Sequence, residues 1–374
     1  MRKLFTILLS FFMVFALAAC SSKSEEESAD DLVEEGYKVA VVTDVGQLND
    51  GGFNQGTYEG AVAFAEANGL SYKYYQPANG SDATDDDRIA AMRQAVEGGA
   101  EVIVTPGYLQ ATALQTVAEE NPDVKFVFVD GWAVGLDNVT AISYHEEESG
   151  FFAGYAAVKD GYTSLGGTFG GAGTNAACNR FAYGYVQGIQ AAAEELGETV
   201  DVTMSFLYGG SFASSTELQT QISGWYNNGV QVVFSCGGSM LQSVKAAAAE
   251  TAEGKIIGVD VDQANEDERV ITSAVKELSE SVQLVLNEWN NGEWDSKLAD
   301  QLSNLGVSDN ATGIPTTESS WRFETFTVED YEAIKEKVAN GEITISSDCS
   351  DLSDIKGWDN LKVECTNVNL NLEY

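Results

Sequence analysis

Residues 38–60, KVAVVTDVGQLNDGGFNQGTYEG, decide how the rest of the chain is read. Val39, Ala40, Val41 and Val42 form a short unbroken apolar run, the pattern of a strand buried on both faces. Residues 43–52 are rich in Gly, Asn and Asp, which tolerate positive φ and favour turns. From Phe53 the pattern becomes helical, with Ala61, Phe64 and Ala65 at core spacing and Gly69 as a stop. The stretch predicts strand, loop and helix, with the loop at the carboxyl end of the strand. In open α/β sheets that is where ligands bind. The loop offers a carboxylate (Asp44), an aromatic ring (Phe53) and a side-chain amide (Asn54). A plainer reading of the same residues has Asp50 capping the helix and Phe53 in the core.

Upstream lies an export signal. Arg2 and Lys3 form a basic start, residues 4–17 are apolar, and Leu17-Ala18-Ala19-Cys20 follows. A small-residue cleavage site ending in Cys resembles the lipobox of bacterial lipoproteins, which implies cleavage before Cys20 and its acylation. The alternative is an ordinary signal peptide with an incidental Cys. The apolar run is too short for a comfortable membrane span. Residues 21–36, SSKSEEESADDLVEEG, are too polar and acidic to fold, so they read as a flexible tether. The expected location is the outer face of the cell membrane, held by lipid.

Downstream, strands and helices alternate. Strands are expected at 70–75, 101–105, 125–130 and 138–144, with helices at 85–98 and 109–121. The rhythm then starts again: helix 148–158, strand 164–170, helix 181–196, strand 200–208, helix 214–227, strand 230–236, helix 240–249, strand 255–260. This predicts an α/β protein with two doubly wound lobes joined by a hinge, of the type I periplasmic-binding-protein kind. Residues 37–147 with 264–300 are assigned to the first lobe, and 148–263 with 301–374 to the second. A strand is expected at 322–327 and a helix at 328–340. Beyond 345 no regular structure is expected. The strand ends carry Asp44 and Asp130 in the first half. In the second they carry Phe212, Gly237, Gly238, Ser239 and Asp260. A ligand held between two such rims is the arrangement of hinged binding proteins.

A net charge of −38 with no basic patch argues against nucleic acid as a partner and against polyanionic ligands. With a single histidine, His145, histidine-based catalysis is nearly excluded. No cysteine spacing suggests zinc. Cys349 and Cys365 bracket a polar loop in a chain expected to be exported, so a disulfide between them is expected. Residues 171–176, GAGTNA, superficially match the dinucleotide fingerprint, but no acidic residue ends a following strand at the right distance, so a tight inter-lobe loop is expected. Asp260-Val261-Asp262 is not a calcium loop, because the sixth position is Asn265 and the twelfth Ile271. A nucleoside hydrolase would open with D-x-D-x-G-x-D-D. Here Val42 replaces the first Asp, and the later acidic positions slip out of register.

Residues 42–55 with Glu59 and Gly60 resemble the basic membrane protein family of lipoproteins, which includes the purine nucleoside receptor A type, the substrate-binding subunits of ABC transporters for nucleosides. Residues 147–157, 181–188, 210–212, 236–239, 257–263 and 272–276 match family segments in the same order. The resemblance implies a purine held between two rings, by position Phe53 and Phe212. Asp44, Asn54, Asp130, Asp260 and Lys276 would be the polar ligands, with backbone approach at Gly237 and Gly238. It implies a monomeric binder that needs no cofactor or metal and hands adenosine, guanosine or inosine to a permease. The same scaffold also serves sensors and binders of other flat ligands such as riboflavin. Residues 104–108, with Pro106 and Tyr108, and residues 175–180 depart from the family pattern.

Overall fold

The computed structural model describes residues 37–45, 48–349, 358 and 365–373. The expected leader, tether and lipidation site at Cys20 lie outside them. From the first described strand the chain runs β1 (Val39–Val42), α1 (Phe53–Ala67), β2 (Tyr72–Tyr75), α2 (Asp85–Glu97), β3 (Val102–Pro106), α3 (Ala111–Glu120), β4 (Lys125–Val129) and β5 (Val139–Tyr144). It then builds α4 (Glu146–Lys159), β6 (Ser164–Phe169), α5 (Ala176–Leu196), β7 (Val200–Ser205), α6 (Thr216–Asn227), β8 (Val232–Cys236), α7 (Met240–Ala248), β9 (Lys255–Asp260) and β10 (Val270–Lys276). It continues through α8 (Leu278–Asn290), β11 (Leu302–Leu305), β12 (Thr312–Gly313), α9 (Val328–Ala339) and β13 (Val368–Glu373).

The first sheet has six strands in the order β11-β5-β4-β3-β1-β2, all parallel. Val39 and Val41 face one core, with Phe64 of α1 and Val282 and Leu286 of α8. Ala40 and Val42 face the other, with Met92 of α2 and Leu114 of α3. A strand with a core on each side has no polar position to alternate, which is why residues 39–42 read as a continuous apolar run. The second sheet has seven strands, β12-β10-β9-β8-β6-β7-β13, parallel except where β12 meets β10. The strand order reverses between β1 and β3 in one sheet and between β6 and β8 in the other. Loops leave such a switch point towards opposite faces and open a crevice between them.

Two expected lobe boundaries are corrected. Residues 264–276 belong to the second lobe, because β10 is wholly buried and pairs in parallel with β9. Residues 302–305 belong to the first, as β11, the edge strand beside β5. The chain therefore crosses between lobes at His145, at Glu277 and through residues 306–311. Backbone bonds of 2.9 Å join these crossings, from His145 N to Leu305 O and from Glu277 N to Ala311 O. Side chains at the start of α4 add to them. Glu148 accepts from Val307 N at 2.7 Å and Thr312 Oγ1 at 2.5 Å. Ser149 Oγ donates to Val275 O at 2.6 Å and accepts from Gly313 N at 2.8 Å.

Three further expectations near the C-terminus change. Residues 322–327 are not a strand; Arg322 instead donates to the carbonyls of Ala264, Asp267 and Val270. Regular structure does exist beyond 345, because β13 pairs with β7 in parallel over six residues. Its Glu373 is held by Gln221 Nε2 of α6 at 2.8 Å. Cys349 is a free thiol, so the expected bond to Cys365 is not formed. Both residues pack in the apolar core of the second lobe, where cysteine serves as a small hydrophobe. Burial pushes the Cys349 thiol up to about 12.

Candidate ligand-binding cleft

A cavity of about 500 Å³ lies between the lobes at the carboxyl ends of both sheets. The first lobe lines it from the β1–α1 loop, from Gly107 and Tyr108 after β3, and from Asp130 after β4. The second lobe contributes Asn175, Cys178 and Phe181 at the start of α5, Phe212 after β7, residues 236–239 after β8, and Asp260 and Lys276. The nine positions expected to meet a ligand, Asp44, Phe53, Asn54, Asp130, Phe212, Gly237, Gly238, Asp260 and Lys276, all come to its wall.

The opening loop serves two purposes. Asp50 caps α1, accepting from the backbone N–H groups of Gly52, Asn54 and Gln55 at 2.9, 3.1 and 3.2 Å. That fixes the first turn and turns Phe53 and Asn54 towards the cavity. Phe53 is half-buried, so the plainer reading holds for Asp50 but not for a Phe53 sealed in the core. Gly107 allows Asp44 its place. It has φ +97, and a Cβ there would lie 2.3 Å from Asp44 Oδ2. In the other lobe, Phe212 sits against Gly170 and Gly237, where added Cβ atoms would approach its ring to 2.4 and 3.0 Å. Asp130, Phe212 and Asp260 all have positive φ, at 56, 57 and 68°. Asp tolerates that region and a bulky Phe rarely does, so the backbone is strained where the lobes face each other.

Lys276 is the electrostatic centre. Its Nζ lies 2.6 Å from Asp130 Oδ2, 3.5 Å from Glu146 Oε1, 3.5 Å from Asp260 Oδ1 and 4.8 Å from the Phe53 ring centre. Burial alone would lower its pKa, but Asp130, Asp260 and Glu146 hold it well above the ordinary lysine value. Burial raises Asp130 to about 6, because Lys276 only partly offsets the desolvation and Glu146 and Asp260 add to it. Asp260 is raised for the same first reason. Glu146 moves the other way. Its burial is outweighed by Arg180 and Lys276, and Arg180 Nε lies 2.5 Å from Glu146 Oε2. The pairing follows from the close approach of α4 and α5. A Cβ on Gly184 or Gly188 would fall 1.9 or 2.0 Å from the carbonyl oxygens of Glu147 or Phe151. Across the cleft the lobes also meet where Gln263 Nε2 donates to Gly51 O at 2.8 Å.

Glu146, Arg180, Tyr108, Asn175 and Cys178 were not among the expected site residues. Residues 104–108 and 175–180 did stand out from the family pattern, and four of the five fall in them. Glu146 had no such signal, since three acidic residues opening a helix look like a solvated, dipole-matched end. Two buried acceptors, Asn54 Oδ1 and Asp130 Oδ1, find no hydrogen-bond partner among the described residues. Polar atoms of that kind on a cavity wall are suited to take donors from a bound molecule.

Residues 37–348 match the family model for PnrA-like ABC transporter substrate-binding proteins. The chain belongs to this family. This Bmp-family protein is 28% identical over 325 residues to the ABC transporter nucleoside-binding protein BmpA of Lactococcus lactis, covering 80% of this chain and 89% of that one. It is 25% identical over 350 residues to basic membrane protein B of Borreliella burgdorferi, covering 90% and 94%. Among solved structures, an ABC transporter solute-binding protein from Aeropyrum pernix superposes with a TM-score of 0.71 at 22% identity, over 88% of this chain and 97% of that one. A solute-binding protein from Conexibacter woesei gives 0.64 at 21%, over 83% and 99%. The α/β fold with two parallel sheets is thus that of the solute-binding proteins. Among the described residues, no helix is long and apolar enough to cross a membrane.

Proposed function

We propose that this Bmp-family protein captures a purine nucleoside in the inter-lobe cleft and delivers it to an ABC permease, as a monomer anchored by lipid on Cys20. The observation that carries the reading is the wall of the cavity: four Asp and one Lys, with Phe53 from the first lobe and Phe181 and Phe212 from the second. Phe53 and Phe212 cover the two faces of the base. Asp130, Asp260 and Lys276 address the ribose, whose hydroxyls donate to carboxylates and accept from the ammonium. Asn54 and Asp44 address the edge of the base. A phosphate would meet several carboxylates across one lysine, so nucleotides are disfavoured. A free base forgoes the ribose contacts. The protein binds and releases its ligand without chemistry.

Calorimetry with adenosine, inosine, hypoxanthine and AMP tests this. Both nucleosides should bind at least tenfold more tightly than hypoxanthine or AMP, since a single charged hydrogen bond contributes about 1.5–3 kcal/mol. AMP binding as tightly as adenosine would sink the reading.

A further inference from the structure

The two cysteines of the cleft wall have no part in the nucleoside contacts. Cys178 lies in the first turn of α5, where Asn175 Oδ1 accepts from its backbone N–H at 2.8 Å. Cys236 closes β8 and leads into Gly237 and Gly238. The Cys178 Sγ lies 3.9 Å from the Cys236 carbonyl oxygen, which sets the Cys178 sulfur against the residue that carries the second thiol. Both are buried, at 7% and 1% exposed, yet both line the cavity. The cavity is therefore the route by which a small reagent reaches either sulfur.

We propose that Cys178 and Cys236 are a redox modification site within the cleft, closed to a disulfide by exchange with a small disulfide oxidant such as oxidised glutathione and reopened by thiols. The Cys178 sulfur attacks one sulfur of the oxidant. One glutathione leaves as a thiol, carrying the Cys178 proton. The Cys236 sulfur then attacks the Cys178 sulfur of the mixed disulfide, and the second glutathione leaves with the Cys236 proton. Two protein thiols lose two electrons, and one disulfide is reduced to two thiols. Burial, with Cys178 and then Asp260 beside it, holds the Cys236 thiol well above its ordinary pKa. The second step is therefore slow at neutral pH and quickens as pH rises.

The bond changes the cleft. A disulfide brings its sulfurs to about 2.05 Å, closer than two thiols in contact, which pulls on the start of α5 and the end of β8. Gly237 and Gly238 follow Cys236, and Gly237 is one wall of the Phe212 slot. Oxidation thus deforms the seat of Phe212 and weakens ligand binding. This last consequence rests on the nucleoside reading.

The test incubates the folded chain with oxidised glutathione at pH 7.0 and 8.5, alkylates remaining thiols, and maps peptides. Inosine binding is measured by calorimetry before and after. Wild type should yield a linked Cys178–Cys236 peptide, faster at the higher pH, and Cys178→Ser should not. Inosine affinity should fall about tenfold as the aromatic packing at Phe212 is lost, and a dithiol should restore it. The proposal is overturned if both thiols alkylate unchanged, if they carry only separate glutathione adducts, or if the disulfide forms and affinity stays the same. Mapping needs no ligand. A reduced protein that ignores inosine would count against the nucleoside reading alone, and the mapped peptides would still decide the thiol pair.

Discussion

Replacing Lys276 by Met keeps the length of the side chain and removes the only positive charge on the cavity wall among the described residues. The lysine is 2% exposed, and the carboxylates around it are 12% exposed at Asp130, 8% at Asp260 and 0% at Glu146. Breaking a buried ion pair by removing one partner typically costs about 3–5 kcal/mol. Two features pull this case towards the low end. Glu146 keeps Arg180 at 2.5 Å. Asp130, already raised to about 6, can escape by taking up a proton. In wild type at pH 7 that protonation costs about 1.4 kcal/mol, one pH unit above its pKa, and without Lys276 it costs less. The pH dependence has a definite sign. A carboxylate whose folded pKa lies above its unfolded value binds more protons when folded, so stability is greatest below the unfolded pKa and is lost as pH rises through the folded one. Removing Lys276 raises Asp130 and Asp260 further, so the variant loses more stability than wild type as pH climbs. The expected deficit is about 3 kcal/mol at pH 8 and about 1 kcal/mol at pH 5. Urea denaturation of ligand-free protein at pH 5, 6.5 and 8, with slopes compared, measures it. A deficit independent of pH, or none at pH 8, would refute the picture of a lysine balancing three buried carboxylates.

The remaining predictions concern binding. Asp260→Asn keeps the shape of the side chain but loses the charge, so nucleoside affinity should fall roughly ten- to a hundredfold while hypoxanthine binding barely changes. Phe212→Ala should weaken inosine and hypoxanthine alike, because stacking acts on the base; competition binding with both ligands separates the two cases, and equal losses for Asp260→Asn would dismiss the ribose assignment. Nucleoside affinity should be level from pH 7 to 8 and decline below about 6, as Asp130 takes up a proton and loses its charge-assisted contacts. Calorimetry across that range on wild type and Asp130→Asn decides it, since the variant should lack the decline. Gly107→Ala places a Cβ against Asp44 at a φ of +97, and should cost about 1–3 kcal/mol of backbone strain as well as ligand affinity, read from melting curves and titrations together.

Much of the architecture was legible because each strand carries its own evidence. The apolar run at 39–42 reflects a core on either side, and the loop after it holds Asp44, Phe53 and Asn54 within a few residues. What could not be read is whatever depends on a partner distant in sequence. Val270 to Lys276 looks like a strand by itself, but only its pairing with β9 says which sheet owns it. Leu302 to Leu305 is a half-exposed edge strand with four residues, too short and too mixed for its pattern to stand out. Glu146 and Glu147 begin a helix as surface acids commonly do, and become buried because glycines let α4 and α5 approach. Cys349 and Cys365 bracket a polar loop, yet Cys349 stands as a thiol in the apolar core, a matter of packing that spacing does not encode.

The interlaced crossings of the hinge also constrain the order in which the two sheets can be completed. Along the chain come β1 to β5, then β6 to β10, and only afterwards β11, which completes the first sheet. The second sheet waits longer still, since among the described residues β13 follows every other element and pairs with β7. Until β13 arrives, β7 is the outermost strand and presents an open row of backbone donors and acceptors; afterwards β13, with Asn369 and Asn371 alternating along it, is the edge instead. Neither lobe could be cut out as one continuous piece, and a chain stopped before Val368 would have most of the cleft yet lose the cover that Val368, Leu370 and Leu372 lay over the core of the second lobe.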